Sequence, residues 1–305
     1  MTEIIRVKNL TKKYGDFIAV DNISFSVKTG ETFGILGPNG AGKTTTLEMI
    51  EGLKSLNAGE IYLDEKNVQE KPHEVKAVIG VQLQASSFFD GLNLKELLET
   101  FAALYDRKVD ALGLLKSVEL DDKWKSQVKQ LSGGQKQRLS IAVGLVNDPK
   151  VLFLDEPTTG LDPQARRNMW DLITKIKKQG KTIVLTTHYM EEAEVLCDRI
   201  AIMDHAKIMV LDTPINLLRN AGVGTSITFR VDKQCTVEHF QKLPAVEKAV
   251  QEDHGYRLIS SNPELTLPAL FKHESDCSFR LFDLQLQQAT LEDVFLKLTG
   301  KKLRE

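Results

Sequence analysis

Gly37-Pro38-Asn39-Gly40-Ala41-Gly42-Lys43-Thr44 constrains this chain more than any other stretch of it. The run fits G-x-x-x-x-G-K-[ST] and follows the apolar segment Thr32 to Leu36. It predicts a short buried strand, a tight glycine-rich loop and a helix, in that order. Glycines let the loop backbone turn its N–H groups inward, toward phosphate oxygens. The following helix adds the positive end of its dipole. Lys43 would reach the β- and γ-phosphates of a nucleotide, and the Thr44 hydroxyl would ligate Mg²⁺.

Such a loop needs a parallel sheet around it, and the sequence supplies the strands. Val151-Leu152-Phe153-Leu154 and Thr182-Ile183-Val184-Leu185 are short runs without alternation, as strands buried on both faces are. Pro163 to Lys178 lies between them and reads as the crossover helix that parallel pairing requires. The first run ends in Asp155-Glu156. That places two carboxylates at the carboxyl edge of the sheet, where open α/β folds bind ligands. Asp155 would hold Mg²⁺, and Glu156 would orient or deprotonate a water attacking the γ-phosphate. Residues 1–35 read as short strands, with Phe25 and Val27 alternating with Ser24 and Ser26. From Ala85 to Val146 the spacing turns helical, and Leu94, Leu97, Leu98, Phe101 and Leu104 share one face.

The composition shifts near Asn220, and Ala221-Gly222-Val223-Gly224 reads as a linker. Beyond it Ile227, Phe229 and Val231 alternate with polar residues, and Phe279, Leu281 and Leu284 suggest a further strand. Thr290 opens a last helix, with Asp293 completing a variant capping box and Gly300 ending it. Its apolar face is Leu291, Val294, Phe295 and Leu298. This predicts a small α+β appendage.

Composition excludes some classes of function. The chain has 305 residues, 42% of them hydrophobic and 27% charged, enough to bury a core and too many for disorder as the main state. A formal charge of −2 argues against a nucleic-acid binder held by electrostatics. The run Lys175-Ile176-Lys177-Lys178-Gln179-Gly180-Lys181 reads as a solvated helix C-terminus, where cations suit the dipole. No apolar run approaches the length of about 18 residues that marks a membrane span, and the N-terminus lacks signal-peptide character. Cys197, Cys235 and Cys277 form no disulfide framework and no metal pair, which fits a reducing cytoplasm. His73, His205, His239, His254 and His273 show no metal-ligand spacing and are read as structural.

Leu131-Ser132-Gly133-Gly134-Gln135 narrows the reading, because such a run arises by chance in roughly four chains of this size per ten thousand. With this element in place, residues 4 to about 215 resemble the nucleotide-binding subunit of an ATP-binding cassette (ABC) transporter. The resemblance implies an α/β fold: a P-loop NTPase (RecA-like) core with an antiparallel β subdomain and a helical insert at about 86–145. Residues 1–220 would form this ATPase domain and 225–305 a small C-terminal α+β domain. ATP would contact Tyr14, Asn39, Gly40, Gly42, Lys43, Thr44 and Thr45, with Tyr14 stacked on adenine and Phe17 as the alternative stacker. Gln84 would sense Mg²⁺ and the γ-phosphate. Leu83 stands before it where the family often has Pro, which leaves Gln82 as a rival. Mg²⁺ would be held by Thr44, Gln84 and Asp155. Catalysis would rest on Glu156, His188 and Gln84, and Asp162 would reach across to a second subunit. Ser132, Gly133, Gly134 and Gln135 would cap the γ-phosphate bound by that second subunit, itself a copy of this chain or a homologue. Two subunits would then enclose two Mg-ATP head to tail.

The resemblance also implies a polytopic membrane permease as partner, with the chain peripheral on the cytoplasmic face of the membrane and no nucleic acid bound. Phe88 and Phe89 are candidate contacts for that permease, or core of the insert. The segment Met190 to Asp204 and the ending Thr290 to Lys301 are similar to ABC-2 type exporters of the daunorubicin-resistance group. They imply export of a drug, antibiotic or other hydrophobic or amphipathic compound. An importer ATPase shares every motif up to His188. A non-transport switch fits less well, because the chain has one cassette and too short a stretch between Thr44 and Leu131 for a long coiled coil. Ala206 departs from the family's usual glycine after Asp204-His205; if the turn needs φ > 0, alanine there costs about 1 kcal/mol. Residues 225–305 carry no motif and are expected to stabilise the dimer or tune the ATPase.

Overall fold

The computed structural model describes residues 2–300 apart from 83–87, 90, 221, 223, 234, 253–254 and 278. The chain forms two compact units, Met1–Pro214 and Ile215–Glu305. The first runs β1 (Glu3–Tyr14), β2 (Phe17–Lys28), β3 (Thr32–Leu36), α1 (Lys43–Ile50), β4 (Ala58–Leu63), β5 (Lys66–Asn67), α2 (Pro72–Lys76) and β6 (Ile79–Gln82). It continues α3 (Leu94–Ala103), α4 (Ala111–Ser117), α5 (Gly133–Leu145), β7 (Val151–Asp155), α6 (Pro163–Lys178), β8 (Thr182–Thr187), α7 (Met190–Leu196), β9 (Arg199–Asp204) and β10 (Lys207–Asp212).

Two sheets build this unit. The larger has the order β10-β9-β3-β8-β7-β6, with β9, β3, β8, β7 and β6 parallel and β10 antiparallel at the edge. β3, β7 and β8 are buried along their whole length, which is why their sequences run apolar without alternation. The smaller sheet is antiparallel, in the order β2-β1-β4-β5. Its strands do alternate: Ile5 and Val7 from β1 and Ile23, Phe25 and Val27 from β2 turn inward. They meet Phe33, Phe153 and Val184 of the larger sheet and Leu47 and Ile50 of α1 in one core, where Phe25 and Phe33 stack with centroids 5.1 Å apart. Burying each such large side chain contributes roughly 1.5–3 kcal/mol. The residues expected as several short strands are thus mainly two 12-residue strands followed by β3.

α3, α4 and α5 form the helical insert. Asn93 caps α3 in a reciprocal box with Glu96, and Leu94, Leu97 and Leu98 are fully buried. Leu104, expected on the same face, is 69% exposed. α3 ends at Ala103, and Asp106 turns the chain at φ 52, so the apolar spacing outruns the helix by one residue. α6 has the predicted bounds. Asp162 caps it, Pro163 occupies its first turn, and Lys175 and Lys177 near its end pair with Glu119 and Asp198. β9 and β10 join through a two-residue turn in which His205 and Ala206 stand at φ 45 and 65. Both residues are left-handed, as a type I′ hairpin requires, so the cost expected for alanine at this turn applies.

The second unit contains α8 (Pro214–Asn220, from Ile215 onward), β11 (Thr225–Val231), α9 (Val237–Gln241), β12 (Val246–Glu252), β13 (Gly255–Ser260), α10 (Pro263–Cys277), β14 (Leu281–Gln287) and α11 (Leu291–Thr299). Its antiparallel sheet has the order β12-β13-β11-β14. Ile227, Phe229, Phe240, Tyr256, Leu258, Leu270 and Phe279 make its core. Thr290 and Asp293 close the capping box of α11, and Gly300 ends it at φ 70. Among the described residues no helix is long and apolar enough to cross a membrane.

Candidate active site

The carboxyl ends of β3, β7 and β8 bring the predicted residues together. Beyond β3 the chain passes through the glycine-rich loop into α1. Gly42 stands at φ 101, where a Cβ would lie 2.4 Å from the Ala19 carbonyl oxygen, so no other residue fits there. The Lys43 side chain is buried. Its Nζ donates to the carbonyls of Gly37 at 2.9 Å and Pro38 at 3.1 Å, and lies 3.4 Å from Glu156 Oε1. Loop, lysine and carboxylate line a cleft of about 580 Å³ with Tyr14, Phe17, Asn39, Gly40, Thr44, Thr45, Thr159 and His188. Both aromatic candidates for adenine border it. Tyr14 also has the Lys12 and Lys54 ammoniums 5.1 and 5.8 Å from its ring centre.

Asp155 and Glu156 have different surroundings. Asp155 Oδ1 accepts the Thr44 hydroxyl at 3.2 Å and the Thr186 hydroxyl. Burial pushes its pKa up against the pull of those two bonds. For Glu156, burial also works upward, but Lys43, His188 and the Thr159 hydroxyl outweigh it and hold the carboxyl below its ordinary value. Thr159 Oγ1 donates to Glu156 Oε2 at 3.0 Å, and His188 Nδ1 lies 3.3 Å from the same oxygen. Burial lowers the Lys43 pKa while Glu156 supports its charge. The Glu156 backbone stands at φ 47, left-handed for a residue that is not glycine, a conformation that costs about 1 kcal/mol.

Other predicted residues lie elsewhere in this single chain. Ser132 caps α5: its Oγ accepts from Gln135 N–H at 3.3 Å, and Gln135 Oε1 accepts the Ser132 N–H at 2.9 Å. With Gly133 and Gly134 in the first turn, this helix start is apart from the cleft lining. Asp162 Oδ1 accepts from the N–H groups of Gln164 and Ala165 and caps α6. Gln84 lies outside the described residues. Gln82, its rival, is buried and donates to Gln137 at 3.3 Å. Phe88 is half-buried, and Phe89 is 52% exposed with its ring 5.8 Å from that of Phe101.

Thr159, Thr186 and Glu51 carried no motif and escaped the sequence reading. Glu51 follows α1 and is 2% exposed, with Oε1 unpartnered. Burial, with the Asp155 and Glu48 carboxylates adding to it, pushes its pKa from 4.5 up to about 8. The folded chain therefore keeps a proton that the unfolded chain releases, and stability falls as pH rises through that window. Glu51→Gln keeps the shape and removes the titration. It is expected to raise unfolding free energy by about 2 kcal/mol at pH 8 and by much less at pH 5, measured as denaturant midpoints. Equal shifts at both pH values would mean that Glu51 holds no proton.

A cleft with a buried ammonium, an inward-turned glycine loop and a carboxylate partnered by hydroxyls suits a nucleoside triphosphate and its cation. Comparison with known proteins agrees with this chemistry. The ABC transporter family profile matches residues 20–159. The chain is 35% identical to the Nod factor export ATP-binding protein I of Ralstonia nicotianae, over 100% of this chain and 96% of that protein. It is 32% identical to the linearmycin resistance ATP-binding protein LnrL of Bacillus subtilis, over 99% of this chain and 100% of that one. A dimeric ATP-binding cassette solved in a post-hydrolysis state with ADP and Pi superimposes with a TM-score of 0.62 at 29% identity. That match covers 68% of this chain and 98% of the other.

Proposed function

The chain belongs to the ABC transporter family as an ATP-binding subunit, and from that membership we propose that it is the ATPase of an exporter. In this reading it drives a separate polytopic permease from the cytoplasmic face of the membrane. The cargo class is a drug, antibiotic or other hydrophobic or amphipathic compound. The observation that carries export is the end-to-end similarity, second unit included, to proteins named for Nod factor export and linearmycin resistance.

ATP binds with adenine on Tyr14 or Phe17 and its phosphates on Asn39, Gly40, Gly42, Lys43, Thr44 and Thr45. The Thr44 hydroxyl and the Asp155 carboxylate are hard oxygen donors, and Asp155 Oδ2 accepts no hydrogen bond from the described residues, a donor set that fits Mg²⁺ completed by phosphate, water and Gln84. Bound there, the cation would supply neutralisation of the phosphate charge. Glu156 accepts the proton of the attacking water, and His188 sits beside it at the γ-phosphate end. Ser132, Gly133, Gly134 and Gln135 of a second copy close over that phosphate, with Asp162 at the same interface. Hydrolysis removes the bridging phosphate and opens the pair. Residues 1–220 supply this machinery, and 225–305 stabilise the dimer or tune its rate.

The test is affinity purification from native membranes of the chain carrying Glu156→Gln with ATP, with co-purifying chains identified by mass spectrometry. A stoichiometric polytopic chain of exporter type is expected. An importer-type permease would reverse the direction of transport. Recovery with ribosomes, nucleoprotein or no membrane chain would remove transport as the purpose and leave the ATPase standing.

A further inference from the structure

One hydroxyl joins the two acidic residues that the proposed reaction needs, the first through its carboxylate and the second through its backbone N–H. Thr186 of β8 is in register with Asp155 of β7 and is fully buried. Its Oγ1 donates to Asp155 Oδ1. Thr186 Oγ1 also accepts the Glu156 N–H at 3.1 Å, and the Thr186 carbonyl oxygen accepts the same N–H at 3.2 Å. Ile183, Val184 and Leu185, which precede Thr186 in the strand, are all apolar and fully buried. Packing alone would be met by valine there, and a buried hydroxyl is unfavourable unless it is used. This one is used twice, as donor to one acidic residue and acceptor from the next.

We propose that Thr186 is a positioning residue for ATP hydrolysis. Its hydroxyl, with that of Thr44, occupies Asp155 Oδ1 and so leaves Oδ2 to the cation. Together with the Thr186 carbonyl, it also holds the left-handed Glu156 backbone that sets the Glu156 carboxylate beside Lys43 and His188. Thr186 itself is not among the residues that line the cleft. A single side chain thereby ties the geometry of metal binding to that of the base. The inference rests on the roles proposed above for Asp155 and Glu156.

The experiment compares Thr186→Val and Thr186→Ser in the full chain. ATP affinity is titrated with Mg²⁺ and with EDTA, kcat and KM are separated, and melting checks the fold. Thr186→Val is expected to lower kcat about tenfold and to shrink the gain in ATP affinity on adding Mg²⁺ about fivefold. Affinity without Mg²⁺ stays as in wild type. Thr186→Ser restores both quantities. A purely structural threonine predicts lower melting with kcat and the Mg²⁺ gain intact, and that result overturns the proposal, as would equal losses in the Val and Ser variants. Should Thr186→Val not fold, Thr186→Ala is read in the same titrations by the same criteria. Asp155→Asn and Glu156→Gln run alongside. If they too keep wild-type turnover, the assignment of the carboxylates fails; if they lose it while Thr186→Val does not, only the role of Thr186 fails.

Discussion

Glu156→Gln is expected to bind ATP at least as well as wild type, to turn it over a thousandfold or so more slowly, and to accumulate as an ATP-bound dimer. The amide keeps the shape of the side chain and can still accept from Thr159, so the cleft is not remodelled. What it loses is the capacity to take a proton from water. General-base catalysis contributes about 10²–10⁴-fold, which sets the scale of the loss. Binding should be preserved or improved because Glu156 is also the counter-ion of Lys43, at 3.4 Å. Neutralising it leaves the buried ammonium on the Gly37 and Pro38 carbonyls with Asp155 as the remaining carboxylate acting on it, so an incoming phosphate meets a less compensated positive charge. Phosphate release and size-exclusion with ATP measure the two halves of the expectation. Wild-type turnover in the variant would place the base elsewhere.

The same pair of residues illustrates what the sequence made legible. Lys43 and Glu156 are distant in the chain, yet each was identifiable because a local pattern fixed its place: a glycine loop after an apolar run, and an acidic pair ending one. Strands buried on both faces announce themselves as unbroken apolar runs, so β3, β7 and β8 and the sheet edge they present could be read directly. α6 was legible for a different reason, since Asp162-Pro163 and the terminal lysines mark both its ends. Thr186 and Thr159 were not legible. A threonine near a strand end has no signature: the use of Thr186 depends on the carboxylate and N–H that β7 and the residue after it bring to its hydroxyl, and that of Thr159 on the carboxylate three residues before it. Glu51 is the extreme case, because nothing local distinguishes a solvated glutamate after a helix from one buried within reach of the Asp155 and Glu48 charges. Leu104 failed in the opposite sense. Its spacing continued the apolar face, but the left-handed turn at Asp106 ended the helix first. Spacing reports a face and says nothing of where the chain leaves it.

Lys43→Ala acts on binding itself, and ATP affinity should fall about a hundredfold. Two effects add. The phosphates lose a charge-assisted donor, worth roughly 1.5–3 kcal/mol. The Glu156 carboxylate also loses its lysine counter-ion and, keeping only Thr159 and His188 beside it among the described residues, repels the incoming phosphates more strongly. The second effect makes a sharper forecast than the first. In the double variant Lys43→Ala, Glu156→Gln the repulsion is gone while the donor is still missing, so ATP affinity should recover by about tenfold over Lys43→Ala alone. Turnover should not recover, because the base is absent. Nucleotide titration of the four proteins in the cycle separates the terms. Unaltered affinity in Lys43→Ala would dismiss the glycine loop as the phosphate site. An affinity in the double variant equal to that of Lys43→Ala would show that Glu156 does not face the phosphates. The cleft would then bind nucleotide in a pose that keeps its carboxylate away from the γ-phosphate, and the water-activating role of Glu156 would have to be given up with it.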